Sequence, residues 1–129
     1  MEAKAKLSPK QREALAKEIH QFLVSHGLWV DCNIYFNGKC WSTMQKVGDH
    51  HEFCYNENRY FESVADPKDY FEYVREPENI LSMSFEGGLY EVLNGYHSYK
   101  LEAEFQQIFH KYGLYYEMGN SWNLSCYEI

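Results

Sequence analysis

Apolar side chains recur at spacings of three and four residues in two stretches of the chain, which is the pattern of one face of an α-helix. The first stretch covers residues 9–26 and opens with an S-x-x-Q capping box. The second covers residues 99–112, and both are followed by a glycine that can end a helix in the left-handed conformation. The pattern predicts two long helices, on which we expect Phe22 and Phe105 to be nearly fully buried.

The pattern changes to alternation of apolar and polar residues over residues 28–36, which predicts a β-strand. The Asn37-Gly38 pair that follows is a strong signal for a two-residue hairpin turn. Such a turn places Ile34 opposite Trp41 on the returning strand. The predicted core face of this hairpin comprises Val30, Cys32, Ile34, Phe36, Trp41 and Thr43.

Further strands are predicted by the same alternation at residues 52–56, 59–64, 80–86, 114–118 and 121–127. The last two should form a hairpin with a bulged Met118-Gly119-Asn120 loop, because only that loop length places their apolar positions on one face. Residues 89–94 are compatible with either strand or helix.

These elements favour an α+β fold, with an antiparallel sheet of about five or six strands and two long helices packed on one of its faces. An Asp-Pro pair predicts a short helix near residues 66–75. The chain has 129 residues, the size of one ordinary domain. We therefore interpret residues 1–129 as a single domain, with residues 1–7 as a loose N-terminal tail.

The two junctions between helix and strand resemble each other at a constant offset of 86 residues. Residues 26–31 correspond to residues 112–117, and each segment contains a glycine followed by leucine and an aromatic residue. One interpretation is a duplicated helix–hairpin unit. The other is that the local rules for ending a helix and starting a strand produce the likeness by themselves.

Acidic side chains dominate the middle of the chain. Residues 49–91 contain eleven carboxylates and three basic side chains, a net charge of 3 − 11 = −8, interleaved with nine aromatic residues. Because phosphate binding requires Lys and Arg, we expect no direct contact with nucleic acid, and an acidic, aromatic surface suits a basic protein instead. The chain lacks an apolar run of about 18 residues and a hydrophobic signal segment, so we expect a cytoplasmic protein without membrane contact.

The predicted short helix is the candidate element for binding such a partner. Its carboxylates follow at spacings of three and four residues, so they form one stripe with a separation comparable to that of phosphates on a nucleic-acid strand. In one version, the protein is an inhibitor that occupies the nucleic-acid channel of a DNA- or RNA-binding protein, as small acidic proteins of phages and mobile elements do. The alternative is an ordinary solvated helix face.

The predicted partner-binding residues are Glu62, Asp66, Asp69, Tyr70, Glu72, Tyr73 and Glu76. The next candidate is the sheet face expected to carry Trp29, Tyr35 and Tyr115.

The segment Asp49-His50-His51-Glu52 is the one dense group of potential metal ligands. Adjacent side chains on a strand point to opposite faces, so the two histidines cannot easily share a metal ion. We therefore expect no metal and no cofactor, and a binding role rather than catalysis. The alternative is a small-molecule or metal-dependent enzyme built around this segment.

The four cysteines lie at no metal-binding or redox spacing, so we expect free thiols. They are Cys32, Cys40, Cys54 and Cys126. An acidic neighbourhood favours the neutral thiol, so Cys54 is not expected to act as a nucleophile beside the histidine pair. His20 has no motif partner and is interpreted as a surface or helix-end residue.

Overall fold

A computed structural model describes residues 7–66, 80–96 and 99–129 of the chain. The helices are α1 (Pro9–Ser25), α2 (Gly88–Leu93) and α3 (Tyr99–His110). The strands are β1 (Cys32–Phe36), β2 (Lys39–Ser42), β3 (Met44–Val47), β4 (His50–Phe53), β5 (Phe61–Val64), β6 (Ser82–Phe85), β7 (Leu114–Asn120) and β8 (Asn123–Glu128). The fold is therefore α+β.

Both long helices are confirmed close to their predicted bounds. At the start of α1, Ser8 Oγ accepts a hydrogen bond from the Gln11 backbone N–H at 3.2 Å, and Gln11 Oε1 accepts one from the Ser8 N–H at 2.9 Å. This capping box satisfies two backbone donors that the first helical turn leaves without partners. Gly27, with φ of 68°, follows the helix in the left-handed conformation that the sequence predicts.

Six antiparallel strands form the main sheet in the order β5-β2-β1-β6-β8-β7, and β3 and β4 form a separate two-stranded sheet. The hairpin turn at Asn37-Gly38 is confirmed, with Ile34 opposite Trp41. Five of the six residues of the predicted core face are buried, and Val30 is half-buried. Buried and half-buried residues alternate along β1, as the register of the turn predicts, whereas Cys40 and Trp41 of β2 are both buried.

Several strands differ from the predicted ones. Residues 28–31 are not part of β1, because Asp31 has a φ of 53° and turns the chain there. Strand β5 pairs with β2, so it does not return against β4. Residues 89–94, which were compatible with two structures, lie mainly in helix α2.

The final hairpin contains the predicted bulge, but its turn lies further along the chain. The register shifts between Met118 and Asn120, and Asn120 then pairs with Asn123. The turn therefore consists of Ser121-Trp122, and the predicted turn at residues 118–120 was wrong. The consequence is that Trp122 projects from a turn and is 39% exposed, whereas strand alternation would place it on the core face.

The core is built from residues of the helices and of the main sheet. Phe105 and Phe109 of α3 are fully buried, as the stripe on that helix predicts. The prediction for Phe22 was wrong, because this ring is only partly buried and lies between the two helices, 5.6 Å from the ring of Phe105. Helix α1 instead buries Leu15, Ala16, Ile19, His20 and Leu23.

The likeness at offset 86 holds for the helix ends but not for the hairpins. Gly27 and Gly113 both adopt left-handed φ angles, of 68° and 74°. In the first unit the leading strand, β1, lies next to β6, whereas in the second unit the leading strand, β7, lies at the edge of the sheet. The junctions are thus alike through the local rule for ending a helix, and the hairpins enter the sheet differently.

Candidate binding site

Two of the predicted partner-binding residues, Glu62 and Asp66, lie in the part of the chain that the structure describes, and both are exposed. The predicted short helix near 66–75 falls outside the described residues from position 67 onwards. So do the remaining predicted partner-binding residues, Asp69, Tyr70, Glu72, Tyr73 and Glu76. Residues 1–6 of the predicted tail also lie outside them, and Leu7 is partly buried against the core.

Glu62 on β5 has partners within the molecule. Its carboxylate accepts a hydrogen bond of 2.9 Å from the indole Nε1 of Trp41, and Lys39 Nζ lies 3.4 Å away. The hydrogen bond from Trp41 lowers the pKa of this carboxyl below its usual range. Lys39 also pairs with Glu13 of α1 at 3.3 Å, so Glu62 belongs to a network that joins β5 and β2 to the first helix.

The aromatic sheet face expected to carry Trp29, Tyr35 and Tyr115 is not one exposed surface. Trp29 is fully buried, and its Nε1 donates a hydrogen bond of 3.1 Å to the backbone oxygen of Arg59. Its ring packs at 4.8 Å against that of His20. Placing Trp29 on an exposed face was therefore wrong.

His20 is buried and is not the surface residue that the sequence suggested. Its Nε2 lies 3.2 Å from the backbone oxygen of Arg59, and its ring makes edge contacts with Trp29 and Tyr60. Burial lowers the pKa of its imidazole, because the charged form loses its hydration. The pattern missed this because histidine at a helical core position carries no distinctive signal.

The segment of residues 49–52 lies at the tip and start of an exposed hairpin formed by β3 and β4. His51 pairs with Lys46, and His50 pairs with Val47, so the two histidines occupy opposite faces. Among residues 7–66, 80–96 and 99–129, no group of three or more His, Cys, Asp or Glu side chains is placed to hold a metal ion.

This hairpin displays apolar side chains to solvent. Every residue of β3 and β4 is exposed, including Met44 at 45% and Phe53 at 47%. The ring of Phe53 lies 5.1 Å from that of Tyr55, which continues the exposed aromatic surface beyond the strand. Grouped apolar side chains at a protein surface commonly mark a site of interaction.

A cleft of about 350 Å³ lies beside the base of this hairpin. It is lined by Asp31, Asn33, Ser42, Thr43, Met44, Ser84, Phe85, Glu86 and Trp122. The lining therefore offers two carboxylates, an amide, three hydroxyl groups and an indole, and none of these described residues carries a positive charge. The exposed apolar residues of the hairpin are Met44, Val47 and Phe53, and we refer to them as the apolar hairpin. Met44 also lines the cleft, so the two features form a continuous surface.

The two carboxylates, Asp31 and Glu86, come from distant parts of the chain. The backbones of these two segments approach each other closely. The Glu86 N–H donates a hydrogen bond of 3.0 Å to the backbone oxygen of Asp31. Gly87 permits this contact, because a Cβ atom there would lie 2.5 Å from the backbone oxygen of Val30. Asp31 itself occupies the left-handed region, with φ of 53°, which is uncommon for a residue other than glycine.

Hydrogen bonds hold Asp31, Asn33 and the backbone of the turn that carries Trp122 in place around the cleft. The Tyr55 hydroxyl donates to Asp31 Oδ1 at 2.7 Å, and this bond raises the pKa of Tyr55 to about 12. On the floor of the cleft, Asn33 Nδ2 donates to Ser84 Oγ at 3.0 Å. The backbone oxygen of Trp122 accepts a hydrogen bond of 2.8 Å from the Phe85 N–H, which holds the turn carrying the indole against the end of β6.

The four cysteines are buried free thiols. Burial raises the pKa of Cys32 and of Cys40 to about 12, and it also raises the pKa of Cys54 and Cys126. A thiol acts as a nucleophile in its deprotonated form, so these environments suit packing rather than reaction.

Sequence reasoning did not identify Asp31, Glu86 and Trp122 as members of one site. The consecutive glycines after Glu86 were the available signal, since a glycine beside a strand often marks a close approach of another backbone. That signal does not say which backbone approaches.

Comparisons of the chain with protein-family models, with curated proteins and with solved structures found no match. Within the described residues, no helix combines the length and the apolar character needed to cross a membrane. The cleft and the exposed hairpin share Met44, and the hydrogen bond from Tyr55 to Asp31 connects them.

Proposed function

We propose that the protein is a non-enzymatic binding domain that applies an acidic, aromatic surface to a basic partner protein. The observation that carries this proposal is the junction of the carboxylate-lined cleft with the apolar hairpin, where Tyr55 donates its hydrogen bond to Asp31. An aromatic and apolar surface supplies area for binding, and the adjoining carboxylates select positive charge.

The chemistry of this surface supports a basic partner. Among the described residues that line the cleft, Asp31 and Glu86 are acidic and none is positively charged, and the whole chain carries a formal net charge of −7. Charge of this sign raises the rate at which a basic protein associates and repels acidic ones. The exposed Met44, Phe53 and Tyr55 would contribute the contacts that slow dissociation.

The proposal keeps the predicted packing of the two long helices on one face of the main sheet, which would leave the other face open to a partner. The ring contacts of Phe105 and Phe109 with Tyr116, at 5.6 and 5.1 Å, support this arrangement for α3. The burial of Leu15 and Ile19 in the same core supports it for α1.

The acidic stripe of Asp69, Glu72 and Glu76 remains part of the proposal as an extension of the binding surface. Its support is the net charge of −8 over residues 49–91. The form of the proposal in which the partner is a nucleic-acid-binding protein rests on the same negative charge, because such proteins present basic channels to phosphates.

A metal-dependent enzyme at Asp49–Glu52 is the weaker proposal. The two histidines of that segment lie on opposite faces of an exposed hairpin, so they do not converge on one ligand position.

The test compares two doubly neutralised variants with the wild-type protein. Asp31→Asn with Glu86→Gln removes both cleft carboxylates, and asparagine tolerates the left-handed backbone at position 31. Glu104→Gln with Glu117→Gln changes the net charge equally at exposed positions outside the cleft lining. The affinity of each protein for a purified partner, obtained by affinity capture, is measured at low and high salt.

We expect the cleft variant to lose affinity by at least tenfold. The control variant should retain its affinity within about threefold, because Glu104 and Glu117 lie outside the cleft lining and act mainly on the association rate. Wild-type affinity should weaken as salt increases. Equal affinities of wild type and cleft variant, or binding that is insensitive to salt, would contradict the proposal.

A further inference from the structure

We infer that the cleft receives a single arginine side chain of the partner, with its guanidinium group between Asp31 and Glu86 and against the indole of Trp122. This inference rests on the proposed function and names the chemical group that the same site would recognise. It concerns the cleft alone and not the apolar hairpin beside it.

The carboxylates of Asp31 and Glu86 are the charged acceptors on the lining of the cleft. The hydroxyl oxygens there already accept hydrogen bonds inside the protein, from backbone N–H groups at Ser42 and Thr43 and from Asn33 Nδ2 at Ser84. A matching ligand must therefore supply positive charge together with donors to the two carboxylates. A guanidinium group carries five N–H donors and no acceptor, which fits this requirement.

Trp122 favours arginine over lysine. The indole is 39% exposed beside the carboxylates, and its turn is held by the hydrogen bond between the Phe85 N–H and the Trp122 backbone oxygen. A planar guanidinium can stack on an aromatic face while its edge donates to carboxylates, whereas an ammonium group is compact and more strongly hydrated. The combination of an aromatic face and two carboxylates is thus better matched to arginine.

The cleft is large enough to receive a side chain, and the hydrogen bonds at Asp31 favour its binding. Its volume of about 350 Å³ lies at the lower end of ligand pockets, which span about 300–1,000 Å³. The Tyr55 hydroxyl holds Asp31 Oδ1 at 2.7 Å, and the Glu86 N–H holds the Asp31 backbone at 3.0 Å. A carboxylate held before binding loses less conformational entropy on association.

The experiment titrates ¹⁵N-labelled protein with N-acetyl-arginine N-methylamide and follows the indole N–H resonance of Trp122 by NMR. The resonance is assigned by its disappearance in Trp122→Phe. It is separated from Trp29 and Trp41, whose indole N–H groups donate to Arg59 and Glu62 inside the protein. The matched probes are the citrulline compound, which has the same shape without the charge, the lysine compound, and sucrose as a neutral polyol.

We expect the arginine probe to shift the Trp122 resonance in a saturable way, with a dissociation constant on the order of 1 mM for an isolated side chain. The citrulline compound and sucrose should bind at least tenfold more weakly, and the lysine compound should bind more weakly than arginine. Asp31→Asn with Glu86→Gln should abolish the shift, and Glu104→Gln with Glu117→Gln should leave it unchanged.

Equal binding of arginine and citrulline, tighter binding of lysine or sucrose, or an unchanged shift in the cleft variant would overturn the inference. Failure here is distinguishable from failure of the proposed function. If a basic partner protein binds through Asp31 and Glu86 but the arginine probe leaves Trp122 unaffected, the inference is wrong and the proposed function stands. If the partner binds the cleft variant and the wild-type protein with equal affinity, both the inference and the proposed function are wrong.

Discussion

The hydroxyl of Tyr55 donates a hydrogen bond of 2.7 Å to Oδ1 of Asp31. Tyr55 follows the exposed hairpin, and Asp31 lies in the cleft at a left-handed φ of 53°. The bond therefore connects the apolar part of the proposed binding surface to its acidic part. The bond engages Oδ1 of the carboxylate, and the proposed ligand would bind the other oxygen.

Tyr55→Phe should remove the hydrogen bond between the apolar and the acidic part of the surface while keeping the aromatic ring. Because one hydrogen bond to a carboxylate is lost, the free energy of unfolding should fall by about 0.5–1.5 kcal/mol, and binding of the arginine probe should weaken severalfold. Urea unfolding and the NMR titration measure the two effects. Tyr96→Phe serves as the control, since this tyrosine is 71% exposed and does not line the cleft. Identical behaviour of both variants would show that the bond to Asp31 has no such role.

Gly87→Ala should destabilise the fold, because the added Cβ would lie 2.5 Å from the backbone oxygen of Val30 and the two segments would have to separate. The expected loss in the free energy of unfolding is about 1–3 kcal/mol. Gly88→Ala is the matched control, since its Cβ would meet only the flexible end of Leu28 at 2.8 Å. Denaturant unfolding compares the two, and a smaller loss for Gly87→Ala than for Gly88→Ala would contradict this account.

His20 should make stability depend on pH. Burial lowers the pKa of the folded imidazole below its unfolded value, which is about 6.5. The folded state therefore favours the neutral ring, so the stabilisation is present above about pH 6.5 and decreases as pH falls towards the lower folded pKa. The measurement is the free energy of unfolding of wild type and His20→Gln between pH 7.5 and pH 5. The variant should show a shallower decline over that range, and parallel curves would exclude His20 as the cause.

Glu62→Ala should reduce stability by about 0.5–1.5 kcal/mol, because it removes the acceptor of the Trp41 indole N–H and one carboxylate partner of Lys39, while water can take the place of the half-exposed Glu62 side chain. Glu62→Gln keeps an acceptor oxygen and should lose less. Thermal and urea unfolding of both variants measure the difference. If neither variant changes stability, the internal hydrogen bonds of Glu62 contribute little to the fold. If either variant then weakens partner binding, Glu62 contacts the partner, as predicted from the sequence.

Reversal of Asp69, Glu72 and Glu76 to Lys should weaken binding of the basic partner and reduce its dependence on salt, because long-range attraction is removed. Circular dichroism controls for folding. The affinity at low and high salt is compared with that of the cleft variant. Unchanged affinity after the triple reversal would remove this stripe from the binding surface and leave the cleft and hairpin.

The sequence by itself determined the elements that depend on neighbouring residues. The capping box of Ser8 and Gln11 places the start of α1, and Asn37-Gly38 sets a turn that aligns Ile34 with Trp41. These features follow from the short-range geometry of the backbone, which repeats about every 3.6 residues in a helix and every two in a strand. For the same reason, α3 and its buried Phe105 were predictable.

Only the tertiary structure decided what depends on distant residues. Whether Phe22 or His20 is buried depends on the angle at which α1 meets the sheet and α3, and helical spacing allows either. The meeting of Asp31 with Glu86 depends on β6 pairing with β1 and on Gly87 approaching Val30, contacts between segments about fifty residues apart in the chain. The cleft therefore arises from long-range packing, for which a single sequence contains no periodic signal.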